Sequence, residues 1–262
     1  MDILVAQDHH VEQIWPHIKN WLVHSRFGRP RKYSAKSILA GIFYISKTGC
    51  QWSALPKEFP PWKSVYYHFR KWTNSGIWFL LNKKLREIIR LKRSRSRYSK
   101  AVCIDSQSVK TLFGVGAVGF DGNKKVKGRK RHFLVDSIGL LIAVCCTKAN
   151  LHDSGPCKML IKRIHKYAHL SNVKYIHADK AYRSVKTLSP KIKMNISGSI
   201  KSSGFQPIPL RWKVERSIAW LRGYRRTLCD MEKKVRYSEA WVYIAFIQLC
   251  SKRVDITGGL FR

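Results

Sequence analysis

Three acidic residues stand where phosphoryl chemistry could use them. Asp105 ends the apolar run 101–104, Asp179 ends the run 173–178, and Glu215 lies within Arg211-Trp212-Lys213-Val214-Glu215-Arg216. Strand ends in α/β sheets are where ligands bind and where rigid backbone can aim a side chain. Carboxylates on two strands and a helix suit a metal-dependent phosphodiester reaction. There they hold two Mg²⁺ ions roughly 3.5–4 Å apart, with Mn²⁺ able to substitute. The other acids have plainer readings. Asp136 precedes the turn 137–139, and Asp121 and Asp153 sit in loops as turn and cap residues. The remaining acids, among them Asp230, Glu232 and Glu239, read as solvated or pairing surface groups.

Cations surround these acids in the sequence. At about 100° per residue, Glu215, Arg222 and Arg226 fall within about 60° of Arg211 on a helix running from 211 to 226. Val214, Ile218, Leu221 and Leu228 form a neighbouring apolar stripe. Glu215 is then either the partner of Arg211 in an i,i+4 salt bridge or a metal-binding carboxylate flanked by phosphate-binding arginines. The run 124–132 holds Lys124, Lys125, Lys127, Arg129, Lys130, Arg131 and His132 in nine residues, a density that favours phosphate contact. Gly114-Val115-Gly116-Ala117-Val118-Gly119 has the letters of a dinucleotide fingerprint, but Phe-Asp-Gly-Asn follows instead of a helix, so it reads as a loop. His132, His152, His165 and His177 have no zinc spacing with cysteine.

The 262 residues carry 51 Lys+Arg against 15 Asp+Glu, a formal net charge of +36. Such a body repels itself unless a polyanion neutralises it, and nucleic acid is the simplest candidate. With 45 % hydrophobic and 12 % aromatic residues the chain can build a core, which excludes disorder. No apolar run nears the ~20 residues of a membrane span, so a membrane partner is not expected. The N-terminus shows no secretory signal. Seven cysteines without a Cys-x-x-Cys predict a reduced, cytoplasmic protein.

Two regions must position these groups. Residues 1–91 read as short helices: one over 11–23, one capped by Ser34 over 38–45, one capped by Ser64 with Val65, Tyr66, Phe69 and Trp72, and one over 77–91 after Gly76. This suits a helix-turn-helix-like DNA-binding domain, with a plain helical bundle as the other reading. Residues 92–100 form a basic linker. Residues 101–262 are mixed α/β, with a strand at 101–104, a hairpin of 131–136 and 140–147, a helix from Ser154 to about 168, a strand at 173–178 and a buried helix at 239–250.

The motifs together resemble bacterial insertion-sequence transposases of the DDE type, in insertion sequence family five. The resemblance covers nearly the whole chain. It rests on Gly28-Arg29-Pro30-Arg31, on Gly49-Cys50-Gln51-Trp52-Ser53-Ala54-Leu55-Pro56 and on Pro60-Pro61-Trp62-Lys63-Ser64-Val65-Tyr66. It continues through Ile104-Asp105-Ser106-Gln107-Ser108-Val109-Lys110, the basic stretch 124–136, Ala178-Asp179-Lys180-Ala181-Tyr182 and the Glu215 motif. Ala181 stands where the family has Gly. Leu221 stands where a related signature has Lys, with Arg222 beside it.

The resemblance implies an α/β, ribonuclease H-like catalytic domain preceded by a small all-helical domain. It implies Asp105, Asp179 and Glu215 as catalytic metal ligands, with Asp105 bridging two Mg²⁺ ions. Lys110, the cations of 124–131 (Arg129 included), Arg211, Arg216, Arg222 and Arg226 are then expected on DNA phosphates. The implied activity is cleavage of double-stranded DNA at terminal inverted repeats, then strand transfer into target DNA, by a homodimer on DNA in the bacterial cytoplasm at the nucleoid. A catalytically inactive copy acting as a sequence-specific DNA-binding protein is the alternative.

Overall fold

The chain is seen in a computed structural model that describes residues 3–22, 32–112, 116–153, 155–157, 159–161, 172–185, 192–196 and 211–254, with side chains from His9 onward and, in the last stretch, from Trp212. Packing divides it into two compact units. The first joins the N-terminal helices to Gly223–Thr227 and to the chain from Ala240 on; the second holds Ser96–Arg222 and Leu228–Glu239. From Ala240 on the last helix thus packs in the unit of the N-terminal helices, whereas the sequence reading places it with the sheet.

In the first unit, α1 (Ile3–Leu22) begins earlier than its apolar stripe suggested and buries Val11, Ile14, Ile18 and Leu22. Helix α2 (Ala35–Thr48) starts as expected, with the Ser37 amide donating to Ser34 Oγ at 3.0 Å. Helix α3 (Trp62–Asn74) begins two residues before Ser64, because the Pro61 carbonyl accepts from the amides of Ser64 and Val65. Residues 49–61 separate α2 from α3, far longer than the three or four residues of a helix-turn-helix turn. Only Ser75 and Gly76 separate α3 from α4 (Ile77–Lys92), and Gly76 takes φ +74°, which a side chain would strain.

The second unit is built on a six-stranded sheet. Its strands are β1 (Ala101–Lys110), β2 (Gly119–Asp121), β3 (Val126–Asp136), β4 (Leu141–Lys148), β5 (Tyr175–Ala178) and β6 (Lys193–Ile196). The central order is β3-β1-β5-β6, with β2 and β4 both on the far side of β3. Strands β1, β3 and β4 run antiparallel to their neighbours, and β1, β5 and β6 run parallel. This is a ribonuclease H-like arrangement following a helical N-terminal region. One sheet face, with Val102, Ile104, Leu134, Ile176 and Ala178, packs into a core with Cys157, Leu160 and Ile161 of the helical residues 155–157 and 159–161. The rest of that expected helix, and Gly28–Arg31 of the N-terminal motif, lie outside the described residues.

Two strand expectations change. Strand β1 does not stop at Ile104 but runs on to Lys110, because Asp105 through Lys110 pair residue for residue with Phe133 through Gly128 of β3. Strand β3 begins at Val126 rather than Arg131, so most of the basic run is sheet. Helix α5 (Arg211–Trp220) ends six residues short of Arg226 and gives way to the 3₁₀ turns 221–223 and 225–227. The closing helix α6 (Val235–Val254) is longer than expected and buried on nearly every side.

Candidate active site

Strand register brings Asp105 and Asp179 onto neighbouring chains of the sheet. Val102 pairs with Ile176 and Cys103 with His177 in the parallel ladder of β1 and β5. Two residues past the last of these pairs come Asp105, within β1, and Asp179, the residue after β5, so the register brings them to the same level. Asp179 keeps extended backbone (φ −77°, ψ 169°), so it continues the alternation of β5 and shares a face with His177. Asp105 shares that face with Cys103. Both carboxylates are therefore on the sheet face opposite the 155–161 core, and both are half-buried. Local hydrogen bonds orient them: the Ser106 amide donates to Asp105 Oδ1 at 2.7 Å, and the Lys180 amide donates to Asp179 Oδ1 at 2.6 Å.

Glu215 comes from α5, which packs on β1 and β3. The Lys213 charge acts on the Cys103 thiol, which lies on the face that Asp105 shares. Burial nonetheless pushes that thiol up to about 12, so it is no nucleophile. Three side chains tie α5 to the hairpin turn: Lys213 Nζ donates to Ser137 O (2.6 Å), Arg216 Nη2 to Ile138 O (3.2 Å) and Ser217 Oγ to Gly139 O (2.7 Å). Val214 and Ser217 are buried, which leaves Glu215 on the exposed flank. Among the described residues no three His, Cys, Asp or Glu side chains stand close enough together to hold a metal ion. Asp105 and Asp179 carry hard carboxylate oxygens of the kind Mg²⁺ and Mn²⁺ take, and Glu215 stands on α5, which packs on β1 and β3.

The expected phosphate-binding residues separate into two groups. Lys110, Lys124, Lys125, Lys127 and Arg222 are exposed. Lys110 and Lys127 sit at the carboxyl end of β1 and the start of β3, and Lys124 Nζ reaches Ser106 O at 3.4 Å, beside Asp105. Arg129, Lys130 and Arg131 are instead buried, which corrects their expected place on DNA. Arg129 donates to Asp230 Oδ1 (3.1 Å), Ser238 Oγ (2.7 Å), Ala117 O and Lys233 O. Lys130 Nζ donates to Leu151 O and lies 3.3 Å from Asp153 and 3.6 Å from Asp121.

The physical reason is that acids read as surface groups or turn formers lie inside and need internal cations. Asp230 is 2 % exposed, and Glu239, also buried, accepts from the Cys146 amide. Asp121 is buried too. Burial pushes its carboxyl up, but the Ser108 hydroxyl, the Lys124 amide, Lys130 and Lys124 outweigh that and hold it below the usual carboxylate range. It does form its turn, accepting from the Asn123 and Lys124 amides, as Asp136 does from the Ile138 and Leu140 amides. Half-buried Arg216 is sandwiched between Trp212 (4.3 Å) and Trp220 (4.9 Å). Arg226 has left the Glu215 stripe, because α5 ends before it. It is buried in the other unit over Trp241, and Leu228 is exposed. The Arg211 side chain lies outside the described residues.

Comparison with known proteins agrees with this architecture. Residues 7–82 match the family model "Putative transposase of IS4/5 family", and residues 99–250 match "Transposase DDE domain". No curated protein and no solved structure matches. No helix among the described residues is long and apolar enough to cross a membrane. The second match spans more than half of the sequence and contains both the aligned aspartates and the glutamate helix; the chain belongs to the DDE transposases of the IS4/5 group.

Proposed function

We propose that this transposase cuts DNA at the terminal inverted repeats of its insertion sequence and joins the strand to target DNA, with Asp105, Asp179 and Glu215 as its catalytic carboxylates. The observation that supports this most is the β1–β5 register, which brings Asp105 and Asp179 level on one sheet face. These two and Glu215 would hold divalent ions, Mg²⁺ or Mn²⁺, which when bound supply Lewis acidity and an activated attacking oxygen. The chain's own part is placement. Amide donors fix the aspartates, and the 137–139 turn fixes the helix that bears Glu215. Lys110, Lys124, Lys125, Lys127 and Arg222 hold phosphates close to acids that would otherwise repel them. A homodimer on DNA, working at the bacterial nucleoid, would join the two ends.

The test is a labelled duplex carrying the inverted repeat that flanks the gene, incubated with Mg²⁺, Mn²⁺ or EDTA. Metal-dependent cuts at the repeat boundary are expected, and Asp105→Asn should abolish them while binding stays equal or tightens, since a negative charge is removed. Binding without any cut under either metal would make the chain a DNA-binding protein that has lost its chemistry. Loss of binding in Asp105→Asn would remove the metal role from that residue.

A further inference from the structure

Helix α3 has two faces of opposite character. Val65, Phe69 and Trp72 are buried. Phe69 stacks on Trp241 (4.6 Å) and lies 5.3 Å from Trp52, and Trp72 meets Trp78 edge-on at 5.7 Å. An aromatic cluster therefore locks the helix from behind, and every residue in it belongs to the same compact unit. The other face is exposed and contains Lys63, Tyr67, Arg70, Lys71 and Asn74, with no acid on the whole helix. Tyr67 is 59 % exposed, the most of any large hydrophobic side chain described.

Lys63, Tyr67, Arg70 and Asn74 follow an i, i+4, i+7, i+11 pattern, so they form one stripe about 60° wide. The stripe is about 16 Å long at 1.5 Å per residue, which matches about five base steps. Its chemistry suits a duplex groove. An arginine can grip guanine and an asparagine adenine with paired hydrogen bonds, and lysines at the flanks can hold phosphates. A solvated helix face would commonly mix Lys with Glu, and this one does not. In a chain of net charge +36 an acid-free face complements a polyanion.

We infer that α3 is the element that reads DNA sequence: Arg70, Asn74 and Tyr67 face base edges in the major groove, and Lys63 and Lys71 hold the backbone. The inference rests on DNA being the substrate, as proposed above, but it concerns recognition and is independent of the three acids.

The experiment selects binding sequences from a pool of randomised 30-base-pair duplexes in EDTA, so that cleavage plays no part, and uses the full chain and its variants. The natural sequence should enrich a defined motif. Arg70→Ala and Asn74→Ala should each blur the motif at one or two adjacent positions while overall affinity falls less than tenfold. Lys63→Ala should weaken all sequences alike and make the slope of log K against log salt about one unit shallower. Arg70→Lys, which keeps charge and packing, should blur the same position as Arg70→Ala, and cooperative melting of each variant shows that it is folded. A motif unchanged in the folded Arg70 and Asn74 variants, or no motif enriched by a chain that does bind DNA, overturns the role of α3. No binding to any duplex overturns the DNA substrate itself.

Discussion

In a chain with thirty-six excess positive charges, the Arg129 guanidinium faces inward. The Arg129 and Asp230 side chains are 0 % and 1 % exposed, and Ser238 donates to the same carboxylate oxygen that Arg129 holds. Truncating one partner of such a pair leaves the other charged in a low dielectric, which costs about 3–5 kcal/mol. Arg129→Ala should lower the unfolding free energy by that amount in urea. A loss below about 1 kcal/mol would return Arg129 to the DNA surface. Two buried histidines make stability depend on pH. Burial and Lys252 push His10 down to about 4, and burial lowers His132 too, against the pull of Asp153. A histidine with a depressed folded pKa stays neutral when its unfolded form, near 6.5, takes a proton. Stability is therefore full above about pH 6.5 and falls as pH drops toward 4. His10→Gln should flatten that fall in thermal melts between pH 7 and 4.5; an unchanged slope would count against His10.

At the scale of elements, the junction between α5 and the 137–139 turn decides where Glu215 stands. Gly139 has φ +86°, and a Cβ there would lie 2.9 Å from Ser217 Oγ and 3.4 Å from Lys213 O. Gly139→Ala should cost about 1–2 kcal/mol from the left-handed backbone alone. By shifting α5 it should also reduce cleavage by more than it reduces DNA binding. Equal losses in both would show that α5 does not aim Glu215.

The same elements show what sequence could and could not reveal. Ser34, Gly76 and the Gly139 turn were legible because a cap or a positive φ is a local demand. The strand reading stops short of residues 106–110 because that run is polar; only its partner strand makes it sheet, and that pairing is non-local. The acids ending two apolar runs were legible, but their common level comes from the β1–β5 register. Arg129, Lys130 and Arg131 misled because a count of cations does not register the buried acids they serve. Trp220, Gly223 and Arg226 did not announce that α5 stops and the chain enters the other unit.

At the scale of the molecule, surplus charge sets two responses to salt with opposite signs. Self-repulsion weakens the free chain, and screening relieves it, so the melting temperature without DNA should rise between about 20 and 200 mM salt. Binding should weaken over the same range, because each neutralised phosphate releases counterions to a solution that already holds many. The exposed cations placed on DNA phosphates are Lys110, Lys124, Lys125, Lys127 and Arg222 in the unit of the acids, and Lys63 and Lys71 on α3. With all of them engaged, the slope of log K against log salt is about −6. A value near about −4.5 would match the cations of the sheet unit alone and one near about −2 those of α3 alone. Replacing Lys110, Lys124 and Lys127 together by Ala should bring the slope of the natural chain from about −6 to about −4, read by fluorescence anisotropy on one fixed duplex. No change in slope would take DNA away from the sheet unit in which Asp105 and Asp179 stand, and with it the reading of those acids as catalytic.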